Sequence, residues 1–400
     1  MTLADPSLTM PRATAPTEAK PLVGTRDPRL DFFRGIAMFI ILIAHVPGNW
    51  LTLWIPARFG FSDATETFVF CSGMASAIAF GRAFRDQGLA MGTTRVSFRI
   101  WQVYWAHIGL FFAIACAMVS LNALFPDGRD YVGQLNLYPF FKDPQTNLLG
   151  LMTLTYVPNY FDILPMYLVI LAMMPLMIAL ARIHLGLAAL ASITLWLSAN
   201  ILGWNFPAEP WSERGWFFNP LGWQLIFFTG FAFMSGWIPA PPVDRRLFWG
   251  AVTIIVITLP FAYFRLYNTF PVFLEWRRDW SFLFQKTDFG ILRYVHFLAT
   301  AYVAWVLAGP KGANIRPSGR TEVLARIWQK LLAVIMKVGQ QSLAVFIGSM
   351  FLARLMGALL DQVGRTALSM LWVNALGFAL IVAVAYGAGW FKSQPWKKKA

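Results

Sequence analysis

DFFRGIAMFIILIAH, residues 31–45, is the stretch that decides the fold, because it joins a long apolar run to two ionisable side chains, Arg34 and His45. The two side chains are eleven residues apart, which is nearly three helical turns, so a helix would carry both on one stripe about 16 Å apart. A charged side chain at the centre of a bilayer costs about 2.5–3.5 kcal/mol, so ionisable residues there are rare and are candidates for function. The stretch therefore predicts a transmembrane helix with a cation near one membrane surface and an imidazole deep inside.

The composition is that of an integral membrane protein. Hydrophobic residues make up 58% of the 400 residues, charged residues only 13%, and the mean hydropathy is +0.55, unlike a soluble domain. The net charge of +14 comes from basic residues scattered over short loops and both tails. We therefore expect membrane lipid, and no nucleic acid, among the partners. Cys71 and Cys116 lie inside apolar stretches, which predicts neither a disulfide nor a metal site; the oligomeric state is left open.

Apolar runs long enough to span a bilayer recur along the chain and predict an all-α, polytopic protein with about ten transmembrane helices. They lie near residues 32–51, 62–81, 100–124, 162–182, 185–203, 221–238, 247–266, 290–309, 339–361 and 367–391. Lys and Arg concentrate in the segments that an even number of spans places on one side. The positive-inside rule therefore predicts that both termini are cytoplasmic.

The predicted domain organisation has three parts. Residues 1–30 contain no apolar run and are expected to form a disordered cytoplasmic tail. Residues 31–391 are expected to form a single transmembrane domain, followed by a basic cytoplasmic tail at 392–400. The Lys/Arg-rich segment 310–338 fits an amphipathic helix on the inner leaflet, and it fits a solvated linker equally well.

Two carboxylates open the second predicted span. In an antiparallel hairpin the outer half of the first span faces the start of the second, so His45 could meet Asp63 or Glu66 at a similar depth. A carboxylate there would orient the imidazole. The same Asp-x-x-Glu spacing is typical of a capping box, which satisfies the free N–H groups of a helix start without any chemistry. Both interpretations stay open, and one carboxylate could serve both purposes.

Three further polar residues lie at or near span ends. Asp162 precedes the fourth span on the predicted outer side, where it could bind a substrate hydroxyl or cap the helix. Arg293 and His296 lie three residues apart on the eighth span and could line the same cavity or stabilise a junction between loop and helix.

Six motifs together resemble the OpgC proteins, membrane acyltransferases of osmoregulated periplasmic glucans within the wider acyltransferase-3-like superfamily. The motifs are RDPRLDFFRG (26–35), HVPGN (45–49), GFSDATETFVFCSG (60–73), DILPMY (162–167), NPLGWQ (219–224) and GQQSLAVF (339–346). The resemblance implies a bacterial inner-membrane enzyme that transfers an acyl group, best known as succinyl, from cytoplasmic acyl-CoA to a hydroxyl of a periplasmic glucan. The superfamily signature of an arginine, ten residues and a histidine falls on Arg34 and His45.

The expected roles follow from this chemistry. Coenzyme A is anionic at one end, so we expect its phosphates near Arg34, Arg95 and Arg99 at the cytoplasmic surface. His45 would act as the general base on the acceptor hydroxyl, with Asp63 or Glu66 fixing its tautomer. Substrate contacts are expected from Asp162, His296, Trp223 of the NPLGWQ motif, and Arg293, which could hold the free carboxylate of a succinyl group. No metal is expected.

A different class of function fits the same residues. A proton-coupled transporter or flippase for an acidic or sugar-containing solute could use His45 and Asp63 as a proton relay. Turnover by purified protein without a gradient would separate an enzyme from a transporter.

Overall fold

The computed structural model describes residues 27–316 and 322–397. Within them 78% of the chain is helical, and the only β-type pairing is an isolated bridge between Pro207 and Gly215. The expected all-α fold is therefore confirmed for this part of the chain. Most of the predicted N-terminal tail, Arg26 of the first motif and the last three residues lie outside the described residues.

Fourteen α-helices make up the described part of the chain. The first seven are α1 (Pro28–His45), α2 (Ala64–Leu124), α3 (Tyr138–Lys142), α4 (Pro144–Thr153), α5 (Ile163–Ile183), α6 (Leu185–Leu202) and α7 (Pro220–Ser235). The others are α8 (Arg245–Ala262), α9 (Phe264–Thr269), α10 (Pro271–Asp279), α11 (Ile291–Ala308), α12 (Glu322–Gln340), α13 (Ser342–Val363) and α14 (Ala367–Ser393). Short 3₁₀ helices lie at Trp50–Leu53, Pro56–Arg58, Gly133–Leu135, Ser281–Leu283 and Pro310–Ile315.

Seven helices of the described part are long and apolar enough to cross a membrane, namely α2, α5, α6, α8, α11, α13 and α14. The 61-residue helix α2 contains two predicted spans in one run, which is broken at Gly88, where φ is 84°. The two remaining predicted spans coincide with α1, which carries Arg29, Asp31 and Arg34, and with α7, which has 16 residues. The chain is thus a membrane protein, while the count of ten spans and the side of the termini stay predictions.

Glycines allow α2 and α7 to cross at close range. A Cβ on Gly73 would collide with the carbonyl oxygen of Phe227, and one on Gly230 would collide with that of Phe70. Small residues at such a crossing let two backbones approach, which is how helices gain packing energy in a membrane. This crossing fixes the first half of α2 against α7.

The segment before α13 forms a helix with one apolar face. In α12 the side chains of Val323, Leu324, Ile327 and Leu331 are exposed, whereas Ile335 and Val338 are buried. Residues 322–338 are therefore helical and not a linker, and their contact with the inner leaflet stays a prediction. Residues 317–321 of the predicted segment lie outside the described part.

The motif after His45 anchors the end of α1. Gly48 takes a positive φ of 71°, which favours glycine, and turns the chain away from the helix axis. The buried side chain of Asn49 donates to Asn374 Oδ1 at 2.8 Å, and Asn374 Nδ2 donates back to Asn49 Oδ1 at 3.1 Å. This reciprocal amide pair fixes the end of α1, and with it His45, to α14.

Candidate functional site

His45 is the last residue of α1 and lines a cavity of about 220 Å³. Its Nδ1 lies 2.7 Å from the carbonyl oxygen of Ile41. A carbonyl can only accept, so Nδ1 carries the proton, and Nε2 of the neutral ring is left with a free lone pair. Thr65, Asp162 and Lys286 line the same cavity. The site thus presents an imidazole nitrogen able to take up a proton, among hydroxyl, carboxyl and ammonium groups.

Tyr160 and Arg354 hold the imidazole from the side. The rings of His45 and Tyr160 meet edge to face with centroids 5.4 Å apart, and the guanidinium of Arg354 stands 3.9 Å from the Tyr160 centroid. The Tyr160 hydroxyl donates to the carbonyl of Met350 at 2.6 Å. The φ of Tyr160 is 91°, a conformation that costs about 1–3 kcal/mol for a bulky residue and that often occurs at functional sites.

Asp63 and Glu66 form the expected capping box at the start of α2. The Asp63 carboxylate accepts from the N–H of Thr65 at 2.7 Å, and Glu66 Oε2 accepts from the N–H of Asp63 at 2.7 Å. The remaining oxygens bind two cations. Lys286 Nζ lies 2.6 Å from Asp63 Oδ2, and Arg293 Nη2 lies 2.5 Å from Glu66 Oε1. Two acids and two bases therefore neutralise one another where isolated charges would be costly.

The expected pairing of His45 with a carboxylate is wrong in one respect. Among the described residues, neither Asp63 nor Glu66 hydrogen-bonds the imidazole, because both carboxylates are engaged by Lys286, Arg293 and backbone N–H groups. The Ile41 carbonyl fixes the tautomer of His45 instead.

A second cavity, which we call the α1–α11 groove, runs along α1, α2 and α11. It has a volume of about 400 Å³ and mostly apolar walls. Its lining on α1 extends from Arg29 to Ile40, about 16 Å of helix. At the α1 start it is lined by Asp27, Arg29 and Trp305; at the other end it is lined by Gly60, Ser62, Asp63 and His296. Thr65 faces the His45 cavity and Ala64 faces the groove, so the first turn of α2 separates the two cavities.

Three arginines line a third cavity of about 740 Å³ where α2, α5 and α7 meet, on the predicted cytoplasmic side. They are Arg82, Arg85 and Arg182. This cavity shares Met234 with the α1–α11 groove. One stripe of α2 lines both cavities in turn, through Thr67, Phe70, Met74, Ile78, Arg82 and Arg85, at the spacing of three to four residues that keeps side chains on one helix face. The two cavities are thus neighbours along one helix.

The arginines expected to bind coenzyme A lie elsewhere. Arg34 donates from Nη2 to Ser342 Oγ at the α1–α13 contact, and it is not among the residues that line these three cavities. Arg95 is exposed on the second half of α2, and Arg99 donates to Gln102 at 3.1 Å on the same surface. Arg82 and Arg85 are three residues apart, so a helix carries both on one face, but nothing in the local sequence marks them as phosphate ligands.

The residues expected to bind substrate have different surroundings. Asp162 lines the His45 cavity and accepts from the N–H of Phe217 at 3.2 Å. Arg293 is committed to Glu66, and His296 contacts Ser62 in the groove. Trp223 is fully buried, and its indole N–H donates to the Lys286 carbonyl at 2.9 Å. The indole therefore holds the Lys286 segment in place, and the expectation that it contacts substrate stays a prediction.

Sequence reasoning gave Lys286 no definite partner and did not single out Ser62. Lys286 lies in a loop 223 residues after Asp63, and nothing in the local sequence predicts that contact. Ser62 lies in the motif beside Asp63, but its side chain contacts His296, which is 234 residues away along the chain.

One of three comparisons with known proteins finds a match for this chain. A family model described as OpgC protein matches residues 26–393, nearly the whole chain. No curated protein and no solved structure matches. Membership of this family indicates a glucan-modifying acyltransferase. A match of this extent means that the chain belongs to the OpgC family.

Proposed function

We propose that this protein is an O-acyltransferase of the bacterial inner membrane that moves an acyl group, succinyl in the first instance, from cytoplasmic acyl-CoA to a hydroxyl of a periplasmic glucan. The observation that carries the proposal is the position of two cavities on opposite sides of the first turn of α2. The α1–α11 groove reaches that turn from the predicted cytoplasmic side, and the cavity of His45 lies across the turn. The placement of the chain within the acyltransferase-3-like superfamily is part of the proposal.

The donor fits the groove and the arginine-lined cavity. Arg82, Arg85 and Arg182 offer guanidinium groups, which bind phosphates through paired N–H donors. The neighbouring groove has mostly apolar walls and follows α1 for about 16 Å, which suits the long arm that carries the thioester. The acyl group, at the end of that arm, would then lie beside Ser62, Asp63 and His296.

The acceptor fits the His45 cavity. The Nε2 lone pair of His45 takes the proton of the attacking hydroxyl, whose oxygen forms a bond to the acyl carbonyl carbon as the bond from that carbon to the leaving group breaks. The leaving sulfur ends as the free thiol of coenzyme A, so one ester is made for each thioester used. Asp162 and Lys286 line the cavity and supply an acceptor and a donor for sugar hydroxyls.

The test is acceptor-dependent release of free thiol by purified protein in detergent. With succinyl-CoA and a short β-glucan, we expect thiol release together with a succinylated glucan that mass spectrometry identifies. Acetyl-CoA in parallel tests the choice of acyl group. Failure of every acyl donor, together with gradient-driven movement of a solute in proteoliposomes, would contradict the proposal and favour the transporter.

A further inference from the structure

Ser62 and His296 form a hydrogen-bonded pair at the inner end of the α1–α11 groove. Ser62 Oγ lies 2.7 Å from His296 Nδ1, and only 5% of each residue is exposed. Ser62 precedes the cap of α2, whereas His296 lies on α11, so the contact joins two elements that line the groove. Gly60 leaves the space that the ring occupies, since a Cβ there would collide with the imidazole.

The backbone assigns the tautomer of His296. The N–H of Ser62 points at the same Nδ1, at 3.3 Å, and a backbone N–H can only donate. Nδ1 is therefore an acceptor, and the Ser62 hydroxyl donates its hydrogen to it. The neutral ring consequently carries its proton on Nε2, which is buried and has no hydrogen-bond partner among the described residues. A buried donor without a partner is unfavourable, and a polar group of a bound ligand would remove that cost.

A serine that donates to a histidine nitrogen has the arrangement of a nucleophile with its base. Its surroundings favour attack on a carbonyl. Both residues line the groove, whose mostly apolar walls suit the arm of a thioester, so a thioester carbonyl in the groove would lie beside the Ser62 hydroxyl. A hydrogen bond that served only to hold the loop would need neither the groove beside it nor a free Nε2.

We propose that Ser62 is a second reaction centre, which takes the acyl group from the thioester and holds it as an ester before the glucan receives it. This inference rests on the proposed function. In the first half-reaction Ser62 Oγ bonds to the acyl carbon, its proton passes to His296 Nδ1, the C–S bond breaks, and the sulfur leaves with that proton. In the second, the acceptor oxygen bonds to the same carbon, its proton passes to His45, and the ester C–O bond to Ser62 breaks. Ser62 regains its hydroxyl hydrogen from water as His45 releases its proton to water, so no proton is gained or lost.

Two half-reactions would explain why the cavities are separate. The donor enters the groove, and coenzyme A leaves it after the first half-reaction. The acceptor, in the other cavity, then receives the acyl group from Ser62 across the first turn of α2. A mechanism of this kind gives ping-pong kinetics and a burst of free thiol without acceptor.

The experiment uses the full chain in detergent with succinyl-CoA and no glucan. Wild type should release about one thiol per active protein in a burst, and peptide mass spectrometry should find succinyl on Ser62 that hydroxylamine removes. Ser62→Ala should lose the adduct and the burst and, once glucan is added, at least about a hundredfold of the turnover, as expected when a nucleophile is removed. Ser62→Cys should recover an adduct, as a thioester. Ser72→Ala is the matched control, because Ser72, on α2, is equally buried but donates to the Phe68 carbonyl.

The outcomes separate this inference from the function on which it rests. Acceptor-dependent turnover without a burst or adduct, and with Ser62→Ala as active as Ser72→Ala, would overturn the Ser62 intermediate and leave the acyltransferase in place. If Ser62→Ala folds and loses turnover while the wild type forms no adduct, Ser62 and His296 form only a positioning contact. That result would overturn the proposal as well. Absence of turnover with every donor would overturn both.

Discussion

Arg293 and Glu66 form a buried ion pair that joins α11 to the start of α2. Arg293 Nε lies 2.7 Å and Nη2 lies 2.5 Å from Glu66 Oε1, and the two side chains are 10% and 0% exposed. Since Glu66 also accepts from the N–H of Asp63, the pair holds the turn that separates the two cavities. Its main role is therefore to position that turn.

Replacing Arg293 with Ala should lower the free energy of unfolding by about 3–5 kcal/mol, because it leaves Glu66 buried without its cation. The measurement is the thermal unfolding midpoint in detergent. The double variant Arg293→Met with Glu66→Leu should recover much of that loss, since an apolar pair needs no desolvation. An unchanged midpoint for Arg293→Ala, with selective loss of succinyl over acetyl transfer, would instead favour contact of Arg293 with the substrate.

Filling the α1–α11 groove should weaken use of the donor. Ala301 lines the groove on α11, so Ala301→Trp would occupy the space of the thioester arm and should raise KM for acyl-CoA about tenfold or more, which is about 1.4 kcal/mol. Val295→Trp is the matched control, since Val295 is exposed on the same helix and does not line the groove. Equal effects of both variants would count against the groove as the donor path.

Removing two arginines from the third cavity should weaken coenzyme A binding. Hydrogen bonds to charged groups contribute about 1.5–3 kcal/mol each, so Arg82→Ala with Arg85→Ala should raise Kd at least about tenfold. Added salt should reduce the difference, because these side chains are exposed. The control is Arg245→Ala with Arg246→Ala, which removes the same charge from the exposed start of α8. Calorimetry in detergent measures the Kd for coenzyme A of both double variants. A similar rise in Kd for the control variant would mean that only overall charge matters.

Adding one methyl group at the crossing of α2 and α7 should destabilise the protein. Gly73→Ala pushes a Cβ into the carbonyl of Phe227, and overpacking of this kind costs about 1–3 kcal/mol. Gly109→Ala on the same helix has open space around it, and should be neutral or stabilise by up to about 1 kcal/mol. Unfolding in detergent distinguishes them. A Gly73→Ala protein as stable as Gly109→Ala would show that the two helices are farther apart than described.

Much of the fold could be predicted from the sequence, because apolar runs of bilayer length have few alternatives. The connection between the second and third predicted spans is different. It is a continuation of α2 with a break at Gly88, since residues 82–99 contain no proline to stop the helix. Local patterning cannot distinguish a kinked helix from a short loop at such a place.

The site was predictable only where its signals are local. The capping box of Asp63 and Glu66 depends on neighbours within four residues, so its spacing was informative, and His45 was marked by its place in an apolar run eleven residues after Arg34. The ion pair between Lys286 and Asp63 and the contact between His296 and Ser62 depend on tertiary packing. The burial of Trp223 depends on tertiary packing as well, since an aromatic residue near a span end can lie exposed at the membrane surface or buried in the core.

The most direct test of the account is the acceptor-dependent turnover of His45→Gln beside that of His107→Gln, each in folded, purified protein. Gln keeps much of the size and polarity of His but cannot take up a proton, whereas His107 is fully buried on α2 and lines none of the three cavities. We expect His45→Gln to lose about 10²–10⁴-fold of the rate, the usual contribution of a general base, and His107→Gln to keep most of it. Ester formation by folded His45→Gln at the wild-type rate would contradict the account.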